Sequence, residues 1–574
     1  MVIRKIYSFV CVFFVACSLD AQNVIILFTH DLHSNFYPFP VVENNTVVMR
    51  GGYARLATAL RHEKAAAGAD NCITVDAGDF TGGSLFQTIF PTHAAELVTM
   101  KMMGYDVATL GNHDFEYGPD KLAQALHVAQ GRGPALVVSN MKIDKEQKSP
   151  NEFVHACKSY PVVPSCIITK AGMKIGIFGV LGKEASAYAP PLIKFENYIA
   201  CARRVVTDLR NNKKVAMVIC LSHSGLNEDE TFKEDLDLAQ QVPGIDVIIS
   251  GHKHALIDRQ EGSTSIVACG YYGQYLGRLE LTRSDDKTFA KVDFRRISID
   301  QSLKDDAKTA EIIKSFATAI DKEYLQRFGY VQDQIVAYTP SLIDASTGLR
   351  NLILDAYAYA LEKVEGRSFK NPDLFFDAVG HIRSCLPKGN ITVSDVFRVL
   401  PLGEGPDGLA SYPLVTFWLT GKEIKQLLEI ETTVAPIKSE MHLMLKGMLF
   451  TYDPSAPAYH RVTSVNVEGH QGLEQLDGEK LYRVCTSWHL VLMRDYLKNV
   501  SHGIITFVPK NDHGKVIGDA IIRNLCERDG AVELKSWHAV ALYLKSLPKN
   551  AGVPEVPLYR ATHVSKIVAA SKGY

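Results

Sequence analysis

Five short apolar runs in the first half of the chain each end in acidic, amide or imidazole side chains. The runs lead into Thr29-His-Asp-Leu-His33, Asp76-Ala-Gly-Asp79, Gly111-Asn-His-Asp114, Ser222-His-Ser-Gly225 and Ser250-Gly-His-Lys-His254. Runs this continuously apolar are typical of strands in a sheet covered on both faces. In layered α/β architectures, ligand-binding groups gather at the carboxyl ends of strands. We therefore expect a layered α/β domain in which the five ends meet at one polar site.

Helical segments alternate with these strands. Helical spacing follows the glycine pair that begins at Gly51 and recurs from Ala94 to Met103. A further buried strand is expected from Lys174 to Val180, between the third and fourth of the five runs. This alternation supports a sheet with helices on both sides.

The length of the chain indicates more than one domain. Because 574 residues exceed what one hydrophobic core normally supports, two large domains are expected. The first spans 23–300, and a linker helix within 301–334 follows, where apolar residues recur at helical spacing without Gly or Pro. The second, an α+β domain, spans 335–574 and should contain a helix over 349–361 and a strand over 482–486.

Composition excludes several classes of site. With 22% charged residues and a net charge of -1, the chain lacks the basic surface of a protein that binds nucleic acid polymers. Eleven cysteines without a Cys-x-x-Cys pair argue against a zinc ribbon or thioredoxin-like chemistry. A bridge between Cys157 and Cys166 is compatible with an oxidising compartment. Cys72 and Cys220 lie in apolar strands and are expected to be core residues.

The N-terminus has the features of an export signal. Arg4 and Lys5 precede an apolar run from Ile6 to Ala16, which is too short for a permanent transmembrane helix. We expect residues 1–21 to direct the chain to the periplasm or cell envelope. Two processing routes are open: a lipobox that ends at Cys17, which would anchor the protein through lipid, or cleavage after Ala21.

The polar strand ends offer a ligand set for two divalent cations. A bridging carboxylate can hold two such ions roughly 3.5–4 Å apart. One ion is expected on Asp31, His33 and His254, the other on Asn112, His223 and His252, with Asp79 between them. Mixed oxygen and imidazole donors accept zinc, manganese, cobalt or iron, so the identity of the metals stays open. A single histidine of this kind is more often structural, but five matching strand ends favour a metal site.

His113 directly follows a predicted ligand without being needed as one. It is therefore our candidate for stabilising or protonating a transition state, with its imidazole oriented by Glu116 or, less favourably, by Asp114. Two cations can polarise a phosphoryl oxygen and lower the pKa of a bound water for in-line hydroxide attack at phosphorus.

Taken in order, the five polar segments resemble those of the calcineurin-like metallophosphoesterases. With the second domain, the chain is similar to the bacterial periplasmic 5′-nucleotidase and UDP-sugar hydrolase family. The resemblance implies a four-layer α/β/β/α sandwich, the seven metal ligands given above and a catalytic role for His113. The family usually has Asp three residues after that histidine, where this chain has Glu116.

The second domain departs from the same family. The family's substrate-binding segment Asn-x-Gly-Gly-Ile-Arg is matched by Ala378-Val-Gly-His-Ile-Arg383. Arg383 is retained as a partner for a phosphate or hydroxyl group, whereas the family's asparagine is replaced by Ala378. A second family arginine aligns with Ala345, so Arg350 is the candidate replacement. The two aromatic rings with which the family stacks the nucleobase are also missing. Leu402 occupies the position of one ring. Trp488 is a candidate replacement for the other, with packing in the core as its alternative role.

The expected activity follows from that resemblance. It implies a metal-dependent 5′-nucleotidase that releases phosphate from nucleoside monophosphates or acts on nucleotide sugars, so its partner is a small phosphate ester. The altered second domain leaves a phosphodiesterase or phosphatase with a non-nucleotide substrate as an alternative. A surface-binding protein that retains metal without turnover is a further alternative. The sequence leaves the oligomeric state open.

Overall fold

The computed structural model describes residues 23–43, 46–142, 151–190, 192–284, 288–346, 348–469, 472–558 and 568–569. The predicted export signal and Cys17 lie outside these residues. Within them, no helix is both long and apolar enough to cross a membrane.

Two sheets form the core of the N-terminal domain. One has seven strands in the order Phe289–Ser298, Tyr275–Arg283, Asn23–Thr29, Cys72–Asp76, Val107–Ala108, Ala135–Val137 and Val162–Val163. The other has six, in the order Asp258–Glu261, Thr264–Val267, Val247–Ser250, Met217–His223, Met173–Leu181 and Ser165–Lys170. The strands that carry the polar segments are parallel neighbours, three in the first sheet and two in the second. Their carboxyl ends therefore lie at the same edge of each sheet.

The sheets pack face to face, with helices on their outer sides. In the first strand, Ile26 and Phe28 pack between the sheets with Ile219, whereas Ile25 and Leu27 face the helices, as alternation along a strand requires. Helices cover the first sheet at Tyr53–Ala67, Ala95–Met103 and Gly118–Ala129, and the second at Tyr198–Thr207 and Glu234–Gln241. The predicted four-layer α/β/β/α sandwich is confirmed.

The C-terminal domain is the predicted α+β unit. Its main sheet has the strand order Leu414–Thr420, Leu481–Ser487, Leu374–Ala378 and Leu443–Lys446. The helices include Leu349–Glu365, Val393–Val399, Gly421–Glu429 and Ser536–Ser546. Thr392 and Thr420 begin two of them with reciprocal capping boxes, which satisfy backbone N–H groups of the first turn.

The predicted linker helix is observed at Ala307–Glu323, where it forms part of the hydrophobic core. Ile313, Phe316 and Ile320 are buried in the cluster that lies under the outer helices of the seven-stranded sheet. The Phe316 ring meets that of Phe36 edge-on, with centroids 6.4 Å apart. The helix therefore packs on the N-terminal domain and does not only connect the two domains.

The cysteines of the described residues are unbridged. All nine cysteines within the described residues are free thiols. The suggested bridge between Cys157 and Cys166 is therefore wrong: Cys157 is buried in the core beneath the helices, and Cys166 faces the inter-sheet core. Cys72 and Cys220 are buried in strands, as predicted.

Candidate metal centre and active site

The backbone turns sharply where the polar side chains leave the strands. Positive φ angles occur at Asp31 (51°), His33 (48°), Asp79 (55°), His252 (74°) and His254 (54°). This left-handed region is unfavourable for residues with a Cβ, and such strain clusters at functional sites. Residues from distant parts of the chain are thereby aimed at one point.

One group of facing side chains consists of Asp31, His33 and His254. The Nε2 atoms of the two histidines are 3.1 Å apart, and each lies within 3.8 Å of Asp31 Oδ1. His33 Nδ1 donates to the carbonyl of Thr81 at 3.0 Å, so Nε2 directs its lone pair into the group. Burial holds the pKa of His33 well below its usual range, which keeps that lone pair available.

A second group surrounds Asp79. Its Oδ2 atom lies 3.1 Å from His223 Nε2 and 3.8 Å from His33 Nε2, so one carboxylate oxygen faces both groups. His223 Nδ1 donates to the carbonyl of Ala77 at 2.8 Å. Asp31 also belongs to this second group, with ligand atoms mutually within 4.8 Å, whereas the sequence assigned it to one ion alone.

Several atoms of this region are buried without the partners that polar atoms require. Asn112 Oδ1, His223 Nε2 and His252 Nε2 form no hydrogen bond among the described residues. Leaving such atoms unsatisfied is costly, and a bound cation is one way in which buried acceptors are satisfied. The donors are amide oxygen, carboxylate and neutral imidazole, which suit borderline divalent cations. Asp31, His33, Asp79, His223 and His254 are thus brought together, and the His252 ring lies 5.2 Å from that of His223. Asn112 directly precedes His113, whose backbone N–H donates to Asp79 Oδ1 at 2.8 Å. These donor types fit metal binding.

Three side chains outside the predicted set hold these ligands in place. Asp114 accepts hydrogen bonds from the backbone N–H groups of Asp79, Thr81 and Gly111 at 2.8–3.0 Å. Its carboxylate is therefore committed to the backbone rather than to the His113 ring.

Asp235 accepts from the hydroxyls of Ser222 and Ser250, which tie together the strand ends that carry His223 and His252. It lies in a helix with no recognisable motif around it, so no pattern in the sequence indicated its role.

His30 Nε2 accepts a hydrogen bond from the Cys269 backbone N–H at 2.8 Å. The Nδ1–H of His30 therefore donates to Asp31 Oδ2 at 2.6 Å. Its position next to Asp31 was the only available signal.

His113 and Glu116 form a hydrogen-bonded pair beside the ligands. His113 Nδ1 lies 2.7 Å from Glu116 Oε1, so the longer side chain reaches the ring that the family pairs with Asp. Burial alone would lower the pKa of His113, but the Glu116 and Asp79 carboxylates raise it above the ordinary value. The His113 and His33 ring centroids are 5.1 Å apart, which places the pair at the edge of the metal centre.

The C-terminal domain reaches this centre through two segments. The Gly403 N–H donates to Glu116 Oε2 at 3.3 Å. The Arg383 guanidinium lies near enough for its charge to lower the pKa values of His33 and His254, and the Tyr272 hydroxyl donates to its backbone carbonyl at 3.3 Å. Segments of both domains therefore meet beside the candidate metal centre.

The other predicted substrate residues have different positions. Leu402 precedes Gly403 at this junction and is 5% exposed. Trp488 packs in the core of the C-terminal domain and is 7% exposed, which is the alternative role that the sequence left open for it. Arg350 lies in the first turn of Leu349–Glu365, and no hydrogen bond or ion pair within the described residues joins it to the metal centre.

Comparisons with known proteins match both halves of the chain. The profile described as "Calcineurin-like phosphoesterase" matches residues 25–256, and "5′-nucleotidase, C-terminal domain" matches residues 334–498. The trifunctional nucleotide phosphoesterase protein YfkN of Bacillus subtilis is 27% identical over 446 residues, which are 72% of this chain but 29% of that protein. A 5′-nucleotidase of Mus musculus is 24% identical over 81% of this chain and 82% of its own length. The crystal structure of a 5′-nucleotidase precursor from Thermus thermophilus has the same fold, with a TM-score of 0.68 and 23% identity over 93% of this chain and 99% of that one.

Proposed function

This chain belongs to the calcineurin-like phosphoesterases that carry a 5′-nucleotidase C-terminal domain, and from that membership we propose that it is an exported, metal-dependent 5′-nucleotidase. Its substrates are nucleoside monophosphates, with nucleotide sugars as a related class. The observation that carries the proposal is the clustering of Asp31, His33, Asp79, His223 and His254, together with buried atoms of Asn112, His223 and His252 that find no partner within the described residues.

Two divalent cations are proposed for this centre. Asp31, His33 and His254 would hold one, and Asn112, His223 and His252 the other, with Asp79 between them. When bound, such ions polarise a phosphoryl oxygen and lower the pKa of a water molecule. The surrounding side chains keep the ligand atoms in place and shield them from bulk water, which strengthens electrostatic interactions there.

His113 is the proposed catalytic residue. Its Nδ1–H is directed to Glu116, so Nε2 is the atom that donates a hydrogen bond or proton to the substrate. Glu116 fixes the orientation of the ring and favours its protonated form. Arg383, from the opposite domain, offers a fork of donors for the phosphate or a hydroxyl of the substrate.

Export is proposed from the sequence of residues 1–21, with Cys17 as the lipid-anchored residue or Ala21 as the last residue before cleavage. Cys17→Ala decides between these routes: it should release the protein from the membrane fraction if Cys17 is lipidated. Unchanged fractionation, with a mature chain that begins at Gln22 by mass spectrometry, would support the other route.

A phosphatase or phosphodiesterase with a non-nucleotide substrate is the second candidate. The burial of Trp488 favours it, because that ring cannot stack on a base in this arrangement. Phosphate release from AMP, a nucleotide sugar, p-nitrophenyl phosphate and bis(p-nitrophenyl) phosphate would separate the candidates. Turnover of the diester without AMP would support the second one.

The test of the mechanism is His113→Ala in manganese-supplemented assays. Loss of a general acid should lower kcat by roughly 10²–10⁴-fold while bound metal is retained. Equal phosphate release by variant and wild type would remove His113 from the mechanism. No release by either protein, with metal bound, would favour a surface-binding protein.

A further inference from the structure

A buried aspartate–histidine pair lies in the C-terminal domain, separate from the metal centre. Asp377 and His381 have fully buried side chains, and His381 Nδ1 is 3.0 Å from Asp377 Oδ2. The carboxylate also accepts hydrogen bonds from the hydroxyls of Tyr357 at 2.9 Å and Ser487 at 2.8 Å. So many donors on one carboxylate stabilise its ionised form.

The ionised carboxylate selects the tautomer of His381. Burial alone would raise the pKa of Asp377, but the His381 imidazole and the Ser487 hydroxyl help to lower it below its ordinary value. Asp377 therefore accepts the Nδ1–H of His381, and in the neutral ring Nε2 presents a lone pair. That nitrogen is buried and has no hydrogen-bond partner among the described residues. Buried acceptors of this kind normally bind a donor.

Two rings lie between His381 and the active site. Its ring centroid is 5.6 Å from that of His489 and 5.7 Å from that of Tyr412, and both of these side chains are partly exposed. Tyr412 lies directly against Gly403, where an added Cβ would fall 1.9 Å from the ring. The Gly403 N–H donates to Glu116, so a continuous series of contacts joins the catalytic pair to His381.

The wall formed by these rings is uncharged at neutral pH. Burial and the neighbouring His381 lower the pKa of His489 to about 4, so its imidazole is neutral. Neither His489 nor Tyr412 offers a cation to an anionic group. The metal centre and Arg383 are therefore the groups that can bind the phosphate, whereas the rings of Tyr412 and His489 are compatible with an uncharged leaving group.

We propose that His381, Tyr412 and His489 form a subsite that recognises a hydroxyl group on a sugar-like leaving group. The proposal rests on phosphate-ester hydrolysis at the metal centre. The hydroxyl donates to His381 Nε2, and the apolar face of the sugar ring lies on the two aromatic side chains. It enters where the rings of Tyr412 and His489 meet, after a shift of these partly exposed side chains. No bond is made or broken in the subsite, which selects the leaving group.

The first test compares three substrates with the full-length, manganese-loaded enzyme: AMP, 2′,3′-dideoxy-AMP and p-nitrophenyl phosphate. Only AMP carries the ribose hydroxyls. His381→Phe keeps a ring of similar size but removes the acceptor. It should lower kcat/KM for AMP roughly tenfold, the effect of one buried hydrogen bond, and leave the other two substrates within about twofold.

A second variant changes the proton position without changing the ring. Asp377→Asn turns an amide N–H₂ toward His381 Nδ1 and so forces the hydrogen onto Nε2. The preference for AMP over dideoxy-AMP should be lost, and the affinity for adenosine, measured by calorimetry without turnover, should fall by roughly the same tenfold factor. A purely structural role for the pair would not produce this selective change.

His538→Phe is the matched control. His538 is another buried histidine of the same domain, its Nδ1 has no partner within the described residues, and burial lowers its pKa to about 3. The His538→Phe variant should be less thermally stable than the wild type but should show the same ratio of AMP to dideoxy-AMP turnover.

Several outcomes would overturn the subsite. Equal losses on all three substrates in His381→Phe, or an unchanged AMP preference, would refute it. Wild-type enzyme that hydrolyses AMP and dideoxy-AMP equally would also refute it while leaving the nucleotidase proposal intact. Turnover of p-nitrophenyl phosphate without AMP would instead refute the nucleotidase proposal, and the adenosine measurements would then decide the subsite independently.

Discussion

The two sides of the domain junction, the N-terminal wall with the candidate metal ligands and the C-terminal wall with the proposed subsite, differ in how their side chains are encoded. On the N-terminal wall, each strand end carries its own short motif, and the motifs meet because neighbouring strands end at one edge. On the C-terminal wall, Arg383, Tyr412 and His489 come from separate segments without a shared pattern. The comparison indicates that the candidate metal ligands are encoded locally along the sequence, whereas the side chains of the proposed subsite come together only through tertiary packing.

Removing the carboxylate that faces both ligand groups should have the largest effect. Asp79→Ala is expected to lower phosphate release by on the order of 10⁴-fold, since paired ions supply several kcal/mol of transition-state stabilisation. Metal analysis should show loss of bound ions, and wild-type protein treated with a chelator should lose activity to the same extent. Retention of two ions and of most activity by the variant would contradict the proposed bridge.

Weakening the hydrogen bonds that hold the ligands in place should have a smaller effect than removing a ligand. Asp235→Asn weakens the hydrogen bonds that tie Ser222 to Ser250, so we expect metal affinity to fall roughly 10–100-fold. Titration of the metal-free protein with Mn²⁺ would measure this change. Asp237→Asn, in the same helix, is the control and should leave the affinity unchanged; matching losses in the two variants would point to a general effect on the helix.

On the C-terminal wall, Arg383→Lys should have a smaller effect. Lysine keeps the charge but lacks the planar fork of donors, so KM for AMP should rise roughly tenfold with little change in kcat. Steady-state kinetics would separate the two constants, with the exposed Arg367→Lys as control. An unchanged KM would exclude Arg383 from ground-state substrate binding.

The smallest effect on activity is expected at Trp488. Because the ring packs in the C-terminal core, Trp488→Phe should lower the free energy of unfolding by about 1–2 kcal/mol. It should leave kcat/KM for AMP within about twofold. A large rise in KM without loss of stability would show that the ring contacts substrate in another arrangement of the domains.

Much of the N-terminal domain could be predicted because its signals are local. The apolar run at Val24 to Phe28 specifies a buried strand, and His33 and Asp31 follow within a few residues, so strand and ligands are encoded together. Even the brief strand Val107–Ala108 occurs where the apolar run before Asn112 predicted it.

The remaining features depend on contacts that composition and spacing do not encode. Trp488 and His489 are adjacent in sequence, yet one ring enters the core and the other lies against the rings of His381 and Tyr412, and only the packed domain decides which. Asp235 lacks a motif because its partners are hydroxyls from two separate strands. The Cys157–Cys166 suggestion failed for the same reason, since the spacing of two cysteines carries no information about the layers in which they lie.

The packing of the Ala307–Glu323 helix determines where this enzyme can be divided. A fragment that stops at residue 300 would leave Phe36 and its neighbours without the cover that Phe316 provides, and would be prone to aggregate. A fragment that continues through Glu323 keeps that cover and the contact between His93 and Glu323. Chimaeras that exchange C-terminal domains between relatives should therefore be joined downstream of this helix.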